Sequence, residues 1–160
     1  METRLIVLKL FLEELGVGHD IETVDDRKKV QKAVYLGQLS GVDLGYRFSW
    51  YLMGPYSPSL TKDYYELAEE MPSLGGKEGD NELLDEVKNK LNSVSSLFEK
   101  PSDCPLKPEQ WLEILASVHY LLKVSKLSDS EALKIINEEK PALYSQFEKA
   151  KNELTKAKLL

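Results

Sequence analysis

Few side chains in this sequence are placed to do chemistry. It holds one cysteine, Cys104, and two histidines, His19 and His119. One thiol and two imidazoles cannot build a zinc cluster, and a single cysteine cannot close an internal disulfide. Cys104 lies between Asp103 and Pro105 with no base beside it to activate it, so it reads as an inert loop residue. His119 sits in an apolar stretch next to Tyr120 and reads as a core or interface histidine, while His19 follows a glycine and reads as a solvated loop residue. The carboxylate pairs Glu13-Glu14, Asp25-Asp26, Glu69-Glu70 and Glu138-Glu139 are adjacent in sequence. On a helix, adjacent side chains point about 100° apart, so none makes an acid–base dyad. Gly75-Gly76-Lys77 lacks the first glycine and the Ser/Thr of a phosphate loop, and no dinucleotide or calcium motif occurs. The inventory predicts a protein that is not an enzyme and that uses no metal and no cofactor.

Two features call for a partner instead. Arg27-Lys28-Lys29 and Lys32 crowd the start of a helix, where cations oppose the helix dipole by about 0.3–1 kcal/mol each. Asp25 and Asp26 neutralise them if that end is solvated. With Arg47 they form a candidate basic patch for an anion or an acidic partner. The second feature is aromatic density: Tyr46, Phe48, Trp50, Tyr51 and Tyr56 fall within eleven positions. Such residues serve either a core or the anchors of a protein interface. A candidate contact site follows, comprising Gly54, Pro55, Tyr56 and Ser57, with Tyr51, Gln31 and Lys32.

Helices must position these residues. Leu5, Leu8, Leu12 and Leu15 stripe a first helix over about 3–15, which Gly16 and Gly18 stop. A second helix starts with Asp25 or Asp26 as N-cap and runs to Ser40, burying Val30, Ala33 and Val34. Alternation over 46–52 predicts a half-buried strand, with Tyr46, Phe48, Trp50 and Leu52 on one side. Gly54-Pro55-Tyr56-Ser57-Pro58 reads as a turn opening a helix to Met71, with Ser57 as N-cap. The Gly-rich stretch at about 73–80 reads as a flexible linker between an N-terminal helix-and-hairpin half and a C-terminal helical half. Further helices are expected over 81–98 and 108–124, then one capped by Ser128 and Glu131 and ended by Pro141, and a last one capped by Ser145 and Glu148. A lone strand is not stable, so it needs a partner near Leu74-Gly75-Gly76 or across a homodimer. The fold class is mainly α, about seven helices with one short β-hairpin.

The segments Lys28-Lys29-Val30-Gln31-Lys32-Ala33-Val34-Tyr35-Leu36, Tyr46-Arg47-Phe48-Ser49-Trp50-Tyr51 and Gly54-Pro55-Tyr56-Ser57-Pro58-Ser59-Leu60 resemble the YwgA-like proteins, a family of small prokaryotic and viral proteins. Leu115-Ala116-Ser117 and Lys140-Pro141 extend the resemblance over about residues 3–155. More distantly the chain is similar to the SocA-like antitoxins of the Panacea domain group. These usually carry a double tyrosine where this chain has Val34-Tyr35, and a valine-rich segment where it has Tyr56-Ser57. The resemblance implies a winged-helix-like N-terminal half, a setting of mobile elements and defence, and action through protein contacts, with no catalytic residues to transfer.

Composition agrees with that class. The 160 residues fit a single domain, 1–160; 42% are hydrophobic and 30% charged, which excludes wholesale disorder. A net charge of −6 gives no support to a non-specific binder of nucleic acid or anionic membrane. The N-terminus has no basic leader with a small-residue cleavage site, and no apolar run nears the ~20 residues that span a bilayer, so a cytoplasmic location is expected. The function expected is a non-enzymatic interaction module, antitoxin-like or a regulatory adaptor, whose partner is a toxin or regulator. The alternative is a winged-helix transcriptional regulator with Arg27, Lys28, Lys29, Lys32 and Arg47 on its nucleic-acid face.

Overall fold

The computed structural model describes residues 2–74 and 81–160. Helix makes up 65% of it, and the strands form one two-stranded antiparallel hairpin. The mainly α class with a small hairpin is the architecture.

Helix α1 (Thr3–Glu14) buries Leu5, Leu8, Phe11 and Leu12. Helix α2 (Val24–Gln38) starts two or three residues earlier than Asp25 or Asp26 as N-cap would place it. Thr23 is the N-cap, accepting from the Asp26 backbone N–H at 3.0 Å, while Asp26 Oδ2 accepts from Thr23 N. Asp26 is thus the reciprocal acid of a capping box, and Thr23 the cap. Every residue of α2 from Val30 to Gly37 is buried. One side meets α1, so closely at Gly37 that a Cβ there would stand 2.5 Å from the Phe11 ring. The other side meets α5 (Pro108–His119), the central helix, whose residues 111–119 are all buried. Trp111 fixes one end of α5 by donating its indole N–H to Leu97 O at 2.9 Å. Fully burying side chains of this size contributes about 1.5–3 kcal/mol each.

Between α2 and α3 (Pro58–Leu74) stands the hairpin, β1 (Ser49–Tyr51) against β2 (Gly54–Tyr56), with Trp50 facing Pro55. This corrects two expectations. Gly54-Pro55-Tyr56 is the second strand rather than a turn, and β1 pairs there within the chain, needing neither residues 74–76 nor a second copy. Leu52 and Met53 form the two-residue turn, and Leu52 is 86% exposed instead of facing inward with Trp50. Phe48 and Trp50 are half-buried, and Trp50 lies on Tyr120 with ring centroids 5.7 Å apart. Pro55 is tolerated because the pair next to the turn's closing pair exchanges no ladder bonds, so its missing N–H costs nothing and its carbonyl points away from β1.

Helix α3 continues through Pro72 to Leu74, beyond the expected stop at Met71. The linker read over 73–80 falls, from residue 75 on, outside the described residues. The helix expected over 81–98 breaks into α4 (Asp85–Asn92) and a 3-10 turn, Ser95–Phe98. Ser93 and Ser95 hydroxyls donate to the carbonyls of Lys90 and Asn92, satisfying the end of α4 early. After α5 the chain widens into a π turn, Tyr120–Val124, and then forms α6 (Asp129–Glu139) with the expected Ser128/Glu131 capping box. The Ser145/Glu148 pair does not cap α7 (Phe147–Lys156): Ser145 already lies in a 3-10 run, Pro141–Gln146, so its backbone lacks the extended form a cap needs.

Candidate interaction site at the hairpin

Ammonium groups fasten the hairpin to the helices beneath it. The outward carbonyl of Pro55 accepts from Lys32 Nζ, on α2, at 2.6 Å. Lys140, the C-cap of α6, donates to the Leu52 carbonyl at the turn and to Glu113 Oε2 at 2.8 Å. Its Nζ also lies 5.5 Å from the centre of the Trp50 ring. Lys28, one helical turn before Lys32, pairs with Glu113 Oε1 at 3.1 Å. Glu113 stands mid-way along α5 and is 5% exposed; Lys32 and Lys140 are 1% and 6% exposed. Two cations therefore pair with one carboxylate, and the third, Lys32, feels it only through its field. Burial brings Lys32 down to about 7; Glu113 opposes that shift, while Lys140 and Lys28 add to it.

One turn beyond Glu113, the buried Ser117 hydroxyl has no hydrogen-bond partner among the described residues. It faces Gly54, where a Cβ would stand 2.7 Å from Ser117 Oγ and 3.7 Å from Lys32 Cε. The hairpin thus sits on α5 and α2 as closely as a glycine permits.

Beside these lysines a groove with a cavity of about 220 Å³ opens between α2, the hairpin and α3. Val24, Met53, Tyr56, Tyr64 and Tyr65 line it with apolar surface, and its charged lining residues, Arg27, Lys28 and Lys32, are all cations. Gln31 holds the groove's base to the start of α3. Its amide Nε2 donates to Ser57 O and Thr61 Oγ1, both at 3.0 Å, and its Oε1 accepts from Ser57 N at 2.9 Å. Ser57 Oγ accepts from Leu60 N at 3.3 Å, the cap its sequence position predicts.

The candidate contact residues do come together, but not all on the surface. Tyr51 is exposed and meets Tyr56 edge-on at 5.2 Å. Tyr56 is half-buried, and its hydroxyl accepts from Thr61 Oγ1 at 2.6 Å, so it does not project freely. Gln31, Lys32, Gly54, Pro55 and Ser57 are buried, and of these only Gln31 and Lys32 reach the groove. Of the basic patch, Arg27, Lys28 and Lys32 line the groove, while Lys29 and Arg47 do not. Lys32 is buried, Lys28 is paired with Glu113, Arg27 donates to Ile21 O at 2.9 Å, and Arg47 pairs with Asp43 at 3.3 Å. Lys29 lines a different depression, with Glu13, Asp20 and His19. His19 is half-buried rather than solvated, and its Nδ1 is shut from solvent without a partner among the described residues. Glu113, Lys140 and Ser117 are the site residues that sequence reasoning missed. A carboxylate inside Trp111-Leu112-Glu113-Ile114-Leu115 was the available signal, because a charge in so apolar a run needs buried partners.

Next to the site, Tyr35 OH and His119 Nδ1 are 2.8 Å apart in the core. Burial, helped by the charge of Lys123, lowers His119 from 6.5 to about 4. The unfolded chain then binds a proton that the folded chain refuses, so His119 makes stability fall as pH drops from about 6.5 to about 4. Urea titrations across this window should lose on the order of 3 kcal/mol, and His119→Gln should flatten the loss.

Among the described residues no three His, Cys, Asp or Glu side chains gather as metal ligands, and no helix is long and apolar enough to cross a membrane. Comparison with known proteins places no relative beside this site: no family model, no curated protein and no solved structure matches the chain.

Proposed function

We propose that this protein is a non-enzymatic interaction module, an antitoxin-like or regulatory adaptor that engages a protein partner through the hairpin turn and the adjoining groove. One observation carries this reading. Of the large apolar side chains exposed among the described residues, Val24, Tyr51, Leu52, Met53 and Tyr65 lie on or next to this one groove. Exposed apolar side chains are ordinary when scattered, but gathered around a concavity they mark a docking surface. The groove, about 220 Å³, is smaller than the roughly 300–1,000 Å³ of small-molecule pockets, and it suits one or two inserted side chains. The apolar rim would stay bare around a small ligand, whereas a protein would cover it. A nucleic-acid reading has less support, since of its five cations Lys29 lines a different depression and Arg47 is paired with Asp43, leaving no single face that holds all five.

A photo-crosslinker in place of Leu52, used in cells of the native host, tests the proposal against the same probe at Leu84, an exposed apolar position on another part of the chain. Crosslinking to one protein from position 52 alone is expected. Leu52→Asp should then weaken that protein's binding by about 2 kcal/mol or more while leaving the melting temperature unchanged, because Leu52 packs on little. Equal crosslinking from both positions, or unchanged binding by Leu52→Asp, would reject this face.

A further inference from the structure

The cations under the groove are more numerous than the fold's own charge balance needs. Lys28 and Lys140 pair with one carboxylate, Glu113, which acts on Lys32 only through its field, and Lys32 has Pro55 O as its one hydrogen-bond acceptor among the described residues. An ammonium has three N–H donors, so Lys32 keeps capacity for an acceptor that the chain itself does not supply. Against a net charge of −6 overall, a groove whose charged lining is wholly cationic is a local inversion of sign. Such an inversion selects partners by charge.

We propose that the groove recognises an acidic segment of the protein partner, taking an apolar side chain between Met53, Tyr56 and Tyr65 and a neighbouring carboxylate beside Arg27 and Lys28, within the field of the buried Lys32. This rests on the groove being the partner face, and it adds the chemistry of what enters. The surroundings of Lys32 make the recognition proton-linked. Facing it are Lys28 on its own helix, Glu113 and the Ser117 hydroxyl from α5, Lys140 from the end of α6, the Pro55 carbonyl from β2, and Arg27 and the groove tyrosines around the opening. Glu113 is the one acid among them. With its titration brought to about 7, Lys32 is partly neutral in the free protein at neutral pH. An arriving carboxylate favours the ammonium form, so Lys32 draws a proton from solvent as the complex forms.

Two labelled peptides are the probes: one with a phenylalanine flanked by glutamates, the other with the same phenylalanine flanked by glutamines. Binding is measured by fluorescence anisotropy at about pH 6 and about pH 8, on either side of the Lys32 titration. The glutamate peptide should bind about tenfold tighter at the lower pH, and its advantage should shrink at least about threefold at the higher. Lys32→Met should abolish both the preference and its pH dependence; Lys32→Arg, which stays charged, should keep the preference and lose the pH dependence. If Lys32→Met fails to fold, titration of the labelled Lys32 side chain by NMR in the unaltered protein replaces it, and its midpoint should move up when the glutamate peptide is bound. Equal binding of the two peptides at both pH values, still lost in Leu52→Asp, would overturn acid recognition and leave the partner face standing. Binding of neither peptide, or binding indifferent to Leu52→Asp, would overturn both.

Discussion

Glu113→Gln should cost the fold about 3–5 kcal/mol, the largest loss expected from a single isosteric change in this protein. Glu113 accepts from Lys140 at 2.8 Å and Lys28 at 3.1 Å through different oxygens, and it is the anion that favours the buried Lys32 ammonium. A glutamine keeps the shape and one acceptor, but its amide nitrogen must face one of the two lysines as donor against donor. Buried positive charge is then left without its counterion, and the group left behind costs more than the pair contributed. The sign of the pH dependence follows from Lys32. Below about pH 7 it is charged and Glu113 attracts it, so the substitution removes three interactions; above, Lys32 is neutral and two remain. The deficit should accordingly be larger near pH 6 than near pH 9 in urea denaturation. Adding Lys140→Met should recover part of the loss by removing an orphaned cation, at the expense of the bond to the Leu52 carbonyl. A Glu113→Gln protein within about 1 kcal/mol of the parent would show that solvent or neighbouring groups already balance these charges.

That cluster also marks where sequence stops informing. Helical periodicity made α1, α2 and α5 legible, because their apolar positions repeat and their ends carry caps or glycines. The second strand was not legible. Three residues are too short for alternation, and Gly54 and Pro55 are turn formers by type; only pairing with β1 makes them a strand. Ser128/Glu131 and Ser145/Glu148 look alike in sequence, yet just the first caps, because Pro141 sets a 3-10 run around Ser145. Lys28 and Lys32 stood out as cations at a helix start, and solvent was the reasonable place for them. The burial of Lys32 and the pairing of Lys28 depend on α2 being covered on both sides, and on Glu113 and Lys140 arriving from more than eighty and more than one hundred residues along the chain. Local sequence contains the spacing of those lysines. It does not contain their counterion.

Gly54→Ala is expected to lower stability by about 3 kcal/mol, from two causes that can be separated. Gly54 has φ +88°, a conformation that strains any residue with a Cβ, at about 1–2 kcal/mol. The new methyl would also stand 2.7 Å from Ser117 Oγ, and neither side can yield easily: β2 is held by Lys32 through Pro55, and Ser117 lies in the fully buried stretch of α5. Ser117→Ala alone should be neutral or mildly stabilising, since it deletes a buried hydroxyl that has no partner. The double variant should then recover the steric part of the loss and keep the backbone part, a coupling of about 1–2 kcal/mol in a four-protein denaturation cycle. Additive losses would mean the hairpin shifts away from α5 instead of pressing on it. Such a shift would carry Pro55 and the Leu52-Met53 turn with it, so partner binding would fall with Gly54→Ala whether or not Ser117→Ala is added. If the loss is coupled, as the fit of Gly54 against Ser117 requires, restoring the fold should restore binding as well.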